Sequence, residues 1–266
     1  MSRVRFGFGQ NWRGFLATVD DERVAEARRS LQDMLELDSL EGRTFLDVGS
    51  GSGLFSLAAW QLGAERVRSF DVDPDSVACV EELRRRFAPG AGNWEIERAD
   101  VLSAAPGESD VVYAWGVLHH TGDLWTAMQA AGRAVAPGGR LFVSIYNDQG
   151  RKSAAWRRIK RLYNSLPRPL RPVFVVAVMA PIELVVAIRH GPRAYARRWR
   201  DYSRMRGMSR RHDMVDWCGG YPFEVARPEA VTGFYAERGF GLVRSRLNGG
   251  WGCNEFVFAR SDRGGG

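Results

Sequence analysis

The chain has 266 residues, 45% of them hydrophobic, which is enough for one α/β domain with an added segment. Its three cysteines form no CxxC pair, which argues against a disulfide framework and a zinc site, and early charges interrupt any signal-peptide run, so we expect a cytoplasmic protein. The net charge is +7, yet residues 151–211 alone hold 17 Lys/Arg against two acids. This asymmetry raises nucleic acid, an anionic membrane or an acidic substrate as partners.

The first predicted elements form a strand, a glycine turn and a helix. Residues 21–37 place apolar side chains at helical spacing behind Asp20 or Asp21, which predicts a capped amphipathic helix. Residues 44–48 are a short apolar run that ends at GSGSG, and residues 54–62 favour a helix. Strand, turn and helix are together the first half of a βαβ unit.

The same alternation continues to about residue 146. Strands are predicted at 67–73, 94–101, 109–117 and 140–146, helices at 74–87 and 123–136, and a turn at Pro137–Gly139. Alternation at this spacing predicts a Rossmann-like, doubly wound and mostly parallel α/β sheet with helices on both faces.

A basic helical insertion follows strand five, and the chain then returns to the sheet. The last elements are a helix over 227–240 and strands over 241–247 and 252–260, the final one antiparallel. The predicted organisation is an N-terminal lid and helix at 1–40, a cofactor-binding core at 41–148, the insertion as an acceptor lid at 149–222, the last core elements at 223–260 and a disordered tail at 261–266.

The glycine segment after strand one carries the chemistry. Glycines at these positions let the backbone turn tightly and approach a ligand. A dinucleotide fingerprint requires a glycine where Leu54 stands, so NAD and FAD are disfavoured. The segment resembles motif I of class I S-adenosylmethionine-dependent methyltransferases, and the resemblance implies S-adenosylmethionine as cofactor and S-adenosylhomocysteine as product. The matching residues are Asp47, Gly49, Ser50, Gly51 and Gly53.

Three further matches follow in the order that this family shows. Asp71, with Val72, stands at the tip of strand two, where an acid can accept both ribose hydroxyls. Asp100 resembles the residue that binds the adenine amino group, and Val101 lies beside it. The segment 110–128 resembles strand four of the ubiquinone-type O-methyltransferases, which implies a small-molecule acceptor with oxygen preferred.

Several residues are candidates for the reaction itself. His119 and His120 follow strand four, and either one, His120 by preference, is a candidate general base or a group that positions the backbone or cofactor. Trp115 is a candidate neighbour of the cofactor or a core residue. An N-terminal segment with Phe8, Asn11 and Trp12 either covers the cofactor or is a surface staple.

The acceptor is expected near the end of strand five and the end of the insertion. Tyr146 and Asn147 leave strand five toward the expected mouth, although a plain polar turn is the alternative. Trp217 and Tyr221 belong to a polar and aromatic segment that suits an acceptor pocket, and the same mixture leaves a metal site open.

The insertion combines a cationic amphipathic helix with an apolar run. In the helix, Ile159 and Leu162 are read as part of the apolar face and Lys160 as part of the basic face. The run at 173–188 has 16 residues interrupted by Pro181 and Glu183, too short and broken for a membrane span. Peripheral contact with an anionic membrane, a dimer contact and an apolar lid stay open.

Two other functions remain as alternatives. The insertion favours a nucleic-acid methyltransferase or binding protein, but strand four lacks the Asn/Asp-Pro-Pro-aromatic signature of enzymes that methylate amino groups of nucleic acids. The fold also hosts enzymes that use the sulfonium cofactor without transferring its methyl group.

Overall fold

The computed structural model describes residues 6–7, 9, 12, 16, 19–206, 210–250 and 252–262. A seven-stranded sheet in the order β3-β2-β1-β4-β5-β7-β6 runs through the molecule. Neighbouring strands from β3 to β5 pair in parallel, while β7 is antiparallel to both β5 and β6. This arrangement confirms the predicted fold class. The strands are β1 Thr44–Val48, β2 Arg66–Asp71, β3 Trp94–Arg98, β4 Ser109–Trp115, β5 Val135–Tyr146, β6 Phe240–Arg246 and β7 Cys253–Arg260.

Helices cover both faces of the sheet, because its strands present apolar side chains on both sides. One apolar cluster joins the sheet to the first three helices, and a second joins it to the fourth and ninth helices, where Tyr235 is fully buried. The helices are α1 Asp21–Leu35, α2 Leu54–Gln61, α3 Pro74–Phe87, α4 Leu124–Arg133, α5 Arg151–Ser165, α6 Arg171–His190, α7 Pro192–Arg206, α8 Arg210–Gly219 and α9 Pro228–Ala236.

Local capping explains where two of the helices begin. Asp20 accepts a hydrogen bond from the Arg23 amide at the start of α1, and Asp73 accepts one from the Asp75 amide at the start of α3. Pro74 occupies the first turn of α3, where its missing N–H costs no hydrogen bond.

The turn predicted at Pro137–Gly139 is wrong. These residues lie inside β5, which begins at Val135, and the pairing of β4 with β5 shifts register between Ser109 and Val111. Gly138 has φ of +72°, so the glycines form an irregularity within the strand and not a loop before it.

The insertion folds into four helices around a small apolar cluster of its own. Trp156, Val175, Met179, Cys218 and Phe223 form the centre of this cluster. The predicted face of α5 is partly wrong, since Leu162 is 52% exposed whereas Lys160 is fully buried. The apolar run is not broken either, because Pro181 lies inside the continuous 20-residue helix α6.

Candidate active site

The glycine loop between β1 and α2 has a backbone that other residues would strain. Gly49 and Gly51 have φ values of +70° and +56°. A Cβ atom on Gly49 would lie 2.2 Å from Cγ2 of Val117, closer than real contacts allow. The contact with Val117 therefore requires glycine at position 49, whether or not a ligand approaches the loop. The N-terminus of α2 receives no side-chain cap from Gly53, which leaves a helix end suited to an anionic group.

Asp71, at the tip of β2, is tied to this loop. Its Oδ2 accepts a hydrogen bond from the Gly51 amide at 3.0 Å, and its Oδ1 accepts one from the Asp73 amide at 2.9 Å. Burial raises the pKa of the Asp71 carboxyl, although these amide hydrogen bonds oppose the rise. Asp71 therefore holds the glycine loop in place, and each oxygen retains a lone pair for a ligand hydroxyl.

Asp47 lies beneath the loop and points into a buried hydrogen-bond chain. The Trp94 indole donates to Ser69 at 2.8 Å, Ser69 donates to Ser56 at 2.7 Å, and Ser56 donates to Asp47 Oδ2 at 2.5 Å. Asp47 is 3% exposed, and its burial raises the pKa to about 7 while the hydrogen bond from Ser56 opposes the rise. Its contact in this structure is with the scaffold of the loop; its role toward a cofactor stays a prediction.

The N-terminal segment packs against the same loop. The indole of Trp12 lies 3.0 Å from the position that a Cβ on Gly51 would occupy. The amide of Gly9 donates to Asp73 Oδ2 at 2.9 Å, and the amide of Phe6 donates to the Tyr221 carbonyl at 2.9 Å. Phe6, Gly9 and Trp12 thus connect the glycine loop with the end of the insertion, whereas Phe8 and Asn11 lie outside the described residues.

The other predicted cofactor residues lie along the edge formed by β2 and β3. Val72 is 40% exposed at the tip of β2, and Val101 is buried against the second core cluster. Asp100 accepts a hydrogen bond from the Leu102 amide at 3.1 Å, which shapes the turn after β3. The positions agree with an adenine pocket, and contact with adenine stays a prediction.

Trp115 lies beside a cavity of about 440 Å³, a volume that includes space open to solvent. The indole is 44% exposed, and its Nε1 donates to Glu255 at 3.1 Å. The cavity is also lined by Phe55, which follows the glycine loop in α2, and by Tyr113. Trp115 thus borders a cavity next to the loop, and its predicted contact with the cofactor is untested.

His119 and His120 form a single turn after β4, and this turn is joined to the glycine loop. Val117, whose side chain packs on Gly49, also accepts a hydrogen bond from the His120 amide at 2.9 Å. His119 is fully buried, and neither ring nitrogen has a hydrogen-bond partner among the described residues. Burial, with smaller effects from His120 and Lys160, lowers its pKa well below the usual value.

His120 has a fixed tautomer. Its Nδ1 lies 2.7 Å from the carbonyl oxygen of Pro222, and a carbonyl only accepts, so Nδ1 carries the proton and Nε2 the lone pair. Burial, reinforced by the nearby charge of Lys160, lowers the pKa of His120 to about 3. The ring is therefore neutral at physiological pH.

The structure brings four predicted residues into one aromatic cluster. The ring of Tyr146 lies 4.0 Å from that of His119, 5.5 Å from that of His120 and 5.8 Å from that of Trp217, measured between centroids. Next to this cluster is a small cavity that is open to solvent. It is lined by Tyr146, Asn147, Gln149, Lys152, Ser153, Trp156, Trp217, Phe223 and Gly252. Tyr221 does not line it and instead lies 6.0 Å from the guanidinium of Arg161.

Lys160 supports the wall of this cavity. Its Nζ donates to the carbonyl of Trp217 at 2.6 Å, near the C-terminus of α8, and lies 5.0 Å from the ring centroid of Phe223. A cation at a helix C-terminus interacts favourably with the helix dipole. Burial nevertheless lowers the pKa of Lys160 to about 8, while the nearby acids and Cys218 oppose the shift.

Sequence reasoning missed three residues that shape the site. They are Val117, which seats the histidine turn on the glycine loop; Lys160; and Glu224, whose carboxylate accepts from the Gly122 and Leu124 amides. A signal existed for Lys160, because it shares the 153, 156, 160, 163 face of α5 with buried aromatic residues. No local pattern reveals Glu224, since its partners lie about 100 residues earlier.

Among the described residues, no group of three or more His, Cys, Asp or Glu side chains could hold a metal ion. The residues present do match a nucleoside with a carboxylate and a ribose. The glycine loop with its positive φ values, the start of α2 without a side-chain cap and the carboxylate of Asp71 meet at one end of β1 and β2.

Comparisons with known proteins match the same part of the chain. The family described as a methyltransferase domain matches residues 46–143. A ubiquinone biosynthesis O-methyltransferase of Cupriavidus pinatubonensis is 36% identical over 109 residues, covering 41% of this chain and 43% of that protein. A ribosomal protein L11 methyltransferase of Burkholderia mallei is 35% identical over 121 residues, covering 44% of this chain and 36% of that protein. This chain thus spans less than half the length of these curated relatives.

Solved structures show the same fold over most of the chain. A magnesium protoporphyrin IX methyltransferase from Synechocystis PCC 6803 with bound S-adenosylhomocysteine has a TM-score of 0.54 at 15% identity, covering 90% of this chain and 83% of that one. An N-methyltransferase from Bradyrhizobium japonicum, also with S-adenosylhomocysteine, has a TM-score of 0.51 at 16% identity, covering 96% and 99%. At such identities the likeness establishes the fold.

Proposed function

We propose that this chain transfers a methyl group to an oxygen atom of a small-molecule acceptor. The proposal starts from its membership of the class I S-adenosylmethionine-dependent methyltransferases. The observation that carries the proposal is the hydrogen bond between Asp71 and the Gly51 amide. It fixes a carboxylate that could accept hydrogen bonds from a ribose against a glycine loop whose following helix, α2, has no side-chain cap.

These residues would hold the cofactor at its two polar ends. The glycine loop with the N-terminus of α2 would bind the carboxylate of the amino-acid end, because unsatisfied amides and the helix dipole favour an anion there. Asp71 would accept hydrogen bonds from the ribose hydroxyls. Trp12 would cover the loop, since its ring already lies over Gly51. When bound, S-adenosylmethionine supplies an electrophilic sulfonium methyl group.

The acceptor would bind in the cavity beside the aromatic cluster. Tyr146 and Trp217 supply flat apolar walls, and Asn147 supplies an amide that already donates to the Asn248 carbonyl at 2.9 Å. The cavity adjoins the histidine turn, which itself rests on the glycine loop through Val117. This placement would bring the acceptor and the cofactor to the same end of the sheet, as proximity catalysis of an in-line transfer requires.

His120 is the candidate for orienting the acceptor hydroxyl. Its Nε2 holds the lone pair because Nδ1 donates to Pro222, so Nε2 would accept a hydrogen bond from that hydroxyl. A base whose pKa is about 3 is a poor final store for the proton at neutral pH. We therefore assign His120 mainly to positioning the nucleophile, with the proton leaving to solvent.

The test combines binding with product analysis. Asp71→Ala should weaken S-adenosylhomocysteine binding in titration calorimetry by roughly 1 to 3 kcal/mol, because the ribose loses its acceptor and the loop loses its amide partner. Mass spectrometry of reactions with a panel of phenolic and other small acceptors should show a gain of one methyl group. Unchanged affinity in Asp71→Ala would refute the cofactor placement, and a product altered in any other way would favour a non-methylating reaction.

A further inference from the structure

Helix α6 carries a continuous apolar stripe on its outer side. Val173, Val176, Leu184 and Ile188 are 67%, 64%, 61% and 73% exposed. The other exposed positions between Val173 and Ile188 are also uncharged, namely Ala177, Ala180, Pro181 and Val185. The stripe from Val173 to Ile188 is about 22 Å long at the helical rise. Surfaces that stay in water seldom expose a contiguous apolar strip of this length.

The opposite side of α6 is fixed to the insertion. Val175 and Met179 are buried in the cluster around Trp156 and Phe223. Glu183, the one acid of the helix, is 9% exposed and faces inward. The inner face is thus fully used, and the stripe is the part of α6 left to contact something else.

Glu183 also determines how α6 can be oriented. Its Oε2 accepts hydrogen bonds from Tyr195 at 2.9 Å and Trp199 at 3.3 Å, and its carboxylate forms an ion pair with Arg210. Burial opposes its ionisation, yet the hydrogen bonds from Arg210 and Tyr195 hold the pKa of Glu183 below the usual value. The helical segment Arg168–His190, which comprises the short turn before α6 and α6 itself, is long and apolar enough to cross a bilayer by length and composition alone. Crossing would expose this charged junction to hydrocarbon, so the helix is built to lie flat.

Positive charge marks both ends of the stripe. Arg168 precedes it, and Arg189 and Arg193 follow it, all on exposed positions. Glu183 does not offset this charge, because its carboxylate is turned inward and already paired. Arginine next to an apolar surface suits the headgroups of anionic lipids, while the aliphatic side chains suit the acyl chains beneath them.

We propose that the stripe of α6 and its flanking arginines dock this protein onto the surface of an anionic lipid bilayer, with α6 parallel to the membrane. A nucleic acid is the poorer match, because the stripe is aliphatic and has no ring on which a base could stack. A second copy packed antiparallel would place Arg168 near the partner's Arg189, and like charges would oppose that pairing.

Vesicle flotation of the full chain tests the proposal. Wild type should float with vesicles of phosphatidylcholine and phosphatidylglycerol and bind at least tenfold more weakly to phosphatidylcholine alone. The variant Val176→Gln/Leu184→Gln/Ile188→Gln should bind the anionic vesicles at least tenfold more weakly, because the stripe no longer favours the acyl region. The matched control Leu242→Gln/Leu247→Gln changes side chains 49% and 58% exposed on the sheet side and should bind like wild type.

Several outcomes would overturn the proposal. The proposal fails if wild type remains in the aqueous fraction with anionic vesicles. It also fails if the triple variant floats like wild type. Sedimentation showing a wild-type dimer that the triple variant dissociates would assign the stripe to a second copy. Loss of RNA binding in the triple variant would assign it to nucleic acid. Should the triple variant misfold by circular dichroism, Ile188→Gln alone, at the most exposed position, gives the same test with a smaller loss.

Discussion

The sheet region and the helical insertion bury polar groups in different ways. In the sheet, Asp47 lies in a chain of neutral hydrogen-bond partners that ends at Trp94. In the insertion, Lys160 and Glu183 are buried charges that join helices: Lys160 links α5 to α8, and Glu183 links α6 to α7 and α8. Helices cover both faces of the central strands, and the sheet region leaves only separate apolar side chains such as Leu242 exposed among its described residues, whereas the insertion leaves the whole α6 stripe exposed.

The two regions are therefore specified by different interactions. Apolar burial specifies the sheet, so its elements follow from periodicity and turn residues. Charged junctions specify the helix packing of the insertion, since an unpaired buried charge is costly and allows few alternative arrangements. We therefore expect changes in the glycine loop to affect cofactor binding most, and changes at Lys160 to affect how stability depends on pH.

The largest effect should come from Gly49→Ala in the sheet region. The new Cβ would lie 2.2 Å from Val117 with φ at +70°, so the loop must move. We expect a loss of S-adenosylhomocysteine affinity of about a hundredfold or more, measured by titration calorimetry. The control Gly107→Ala also has positive φ, +79°, but no atom within 4 Å of the added Cβ, and should bind normally. Equal affinities for the two variants would contradict the packing argument.

Lys160→Met should change how the stability of the folded protein depends on pH. The pKa of Lys160 is about 8 in the folded protein and 10.5 in the unfolded chain, so the unfolded chain binds more protons between these values. Stability therefore rises with pH in this window, and wild type should gain roughly 2 to 3 kcal/mol relative to Lys160→Met between pH 7 and pH 10. Urea unfolding at both pH values measures the difference. Parallel pH dependence of the two proteins would show that Lys160 is not buried as a cation.

A smaller effect on stability, at acidic instead of alkaline pH, is expected at the histidine turn. The pKa of His120 is about 3 in the fold against 6.5 unfolded, so stability falls as pH drops below 6.5. Wild type should lose up to about 2 kcal/mol more than His120→Gln between pH 7 and pH 5. Glutamine can still donate to the Pro222 carbonyl, which makes it the suitable replacement. Identical acid unfolding curves would place His120 in contact with water.

Local signals predicted the parts of the fold that depend on neighbouring residues. Strand β1 and helix α3 have the predicted bounds, because an apolar run ends at a glycine in the first and Asp73 with Pro74 starts the second. The glycine loop and the cofactor family were likewise predictable from the spacing of motif residues. The irregularity at Gly138 was not, since a glycine pair signals a loop unless the pairing of β4 is known.

The region proposed to bind the acceptor depends on contacts between residues far apart in the chain. The buried state of Lys160 requires the carbonyl of Trp217, 57 residues later, and the tautomer of His120 requires Pro222, 102 residues later. A lysine among arginines reads as a surface charge when only its own helix is considered. The sequence signals therefore singled out Tyr146 and Trp217, which lie together in the structure, but not the groups that support them.

Titration calorimetry of the wild-type chain with S-adenosylhomocysteine measures whether the glycine loop and Asp71 bind this nucleoside. We expect saturable binding of one nucleoside per chain, weakened in Asp71→Ala, with no comparable binding of NAD. A folded protein that gives no heat with S-adenosylhomocysteine, or that prefers NAD, would contradict this expectation.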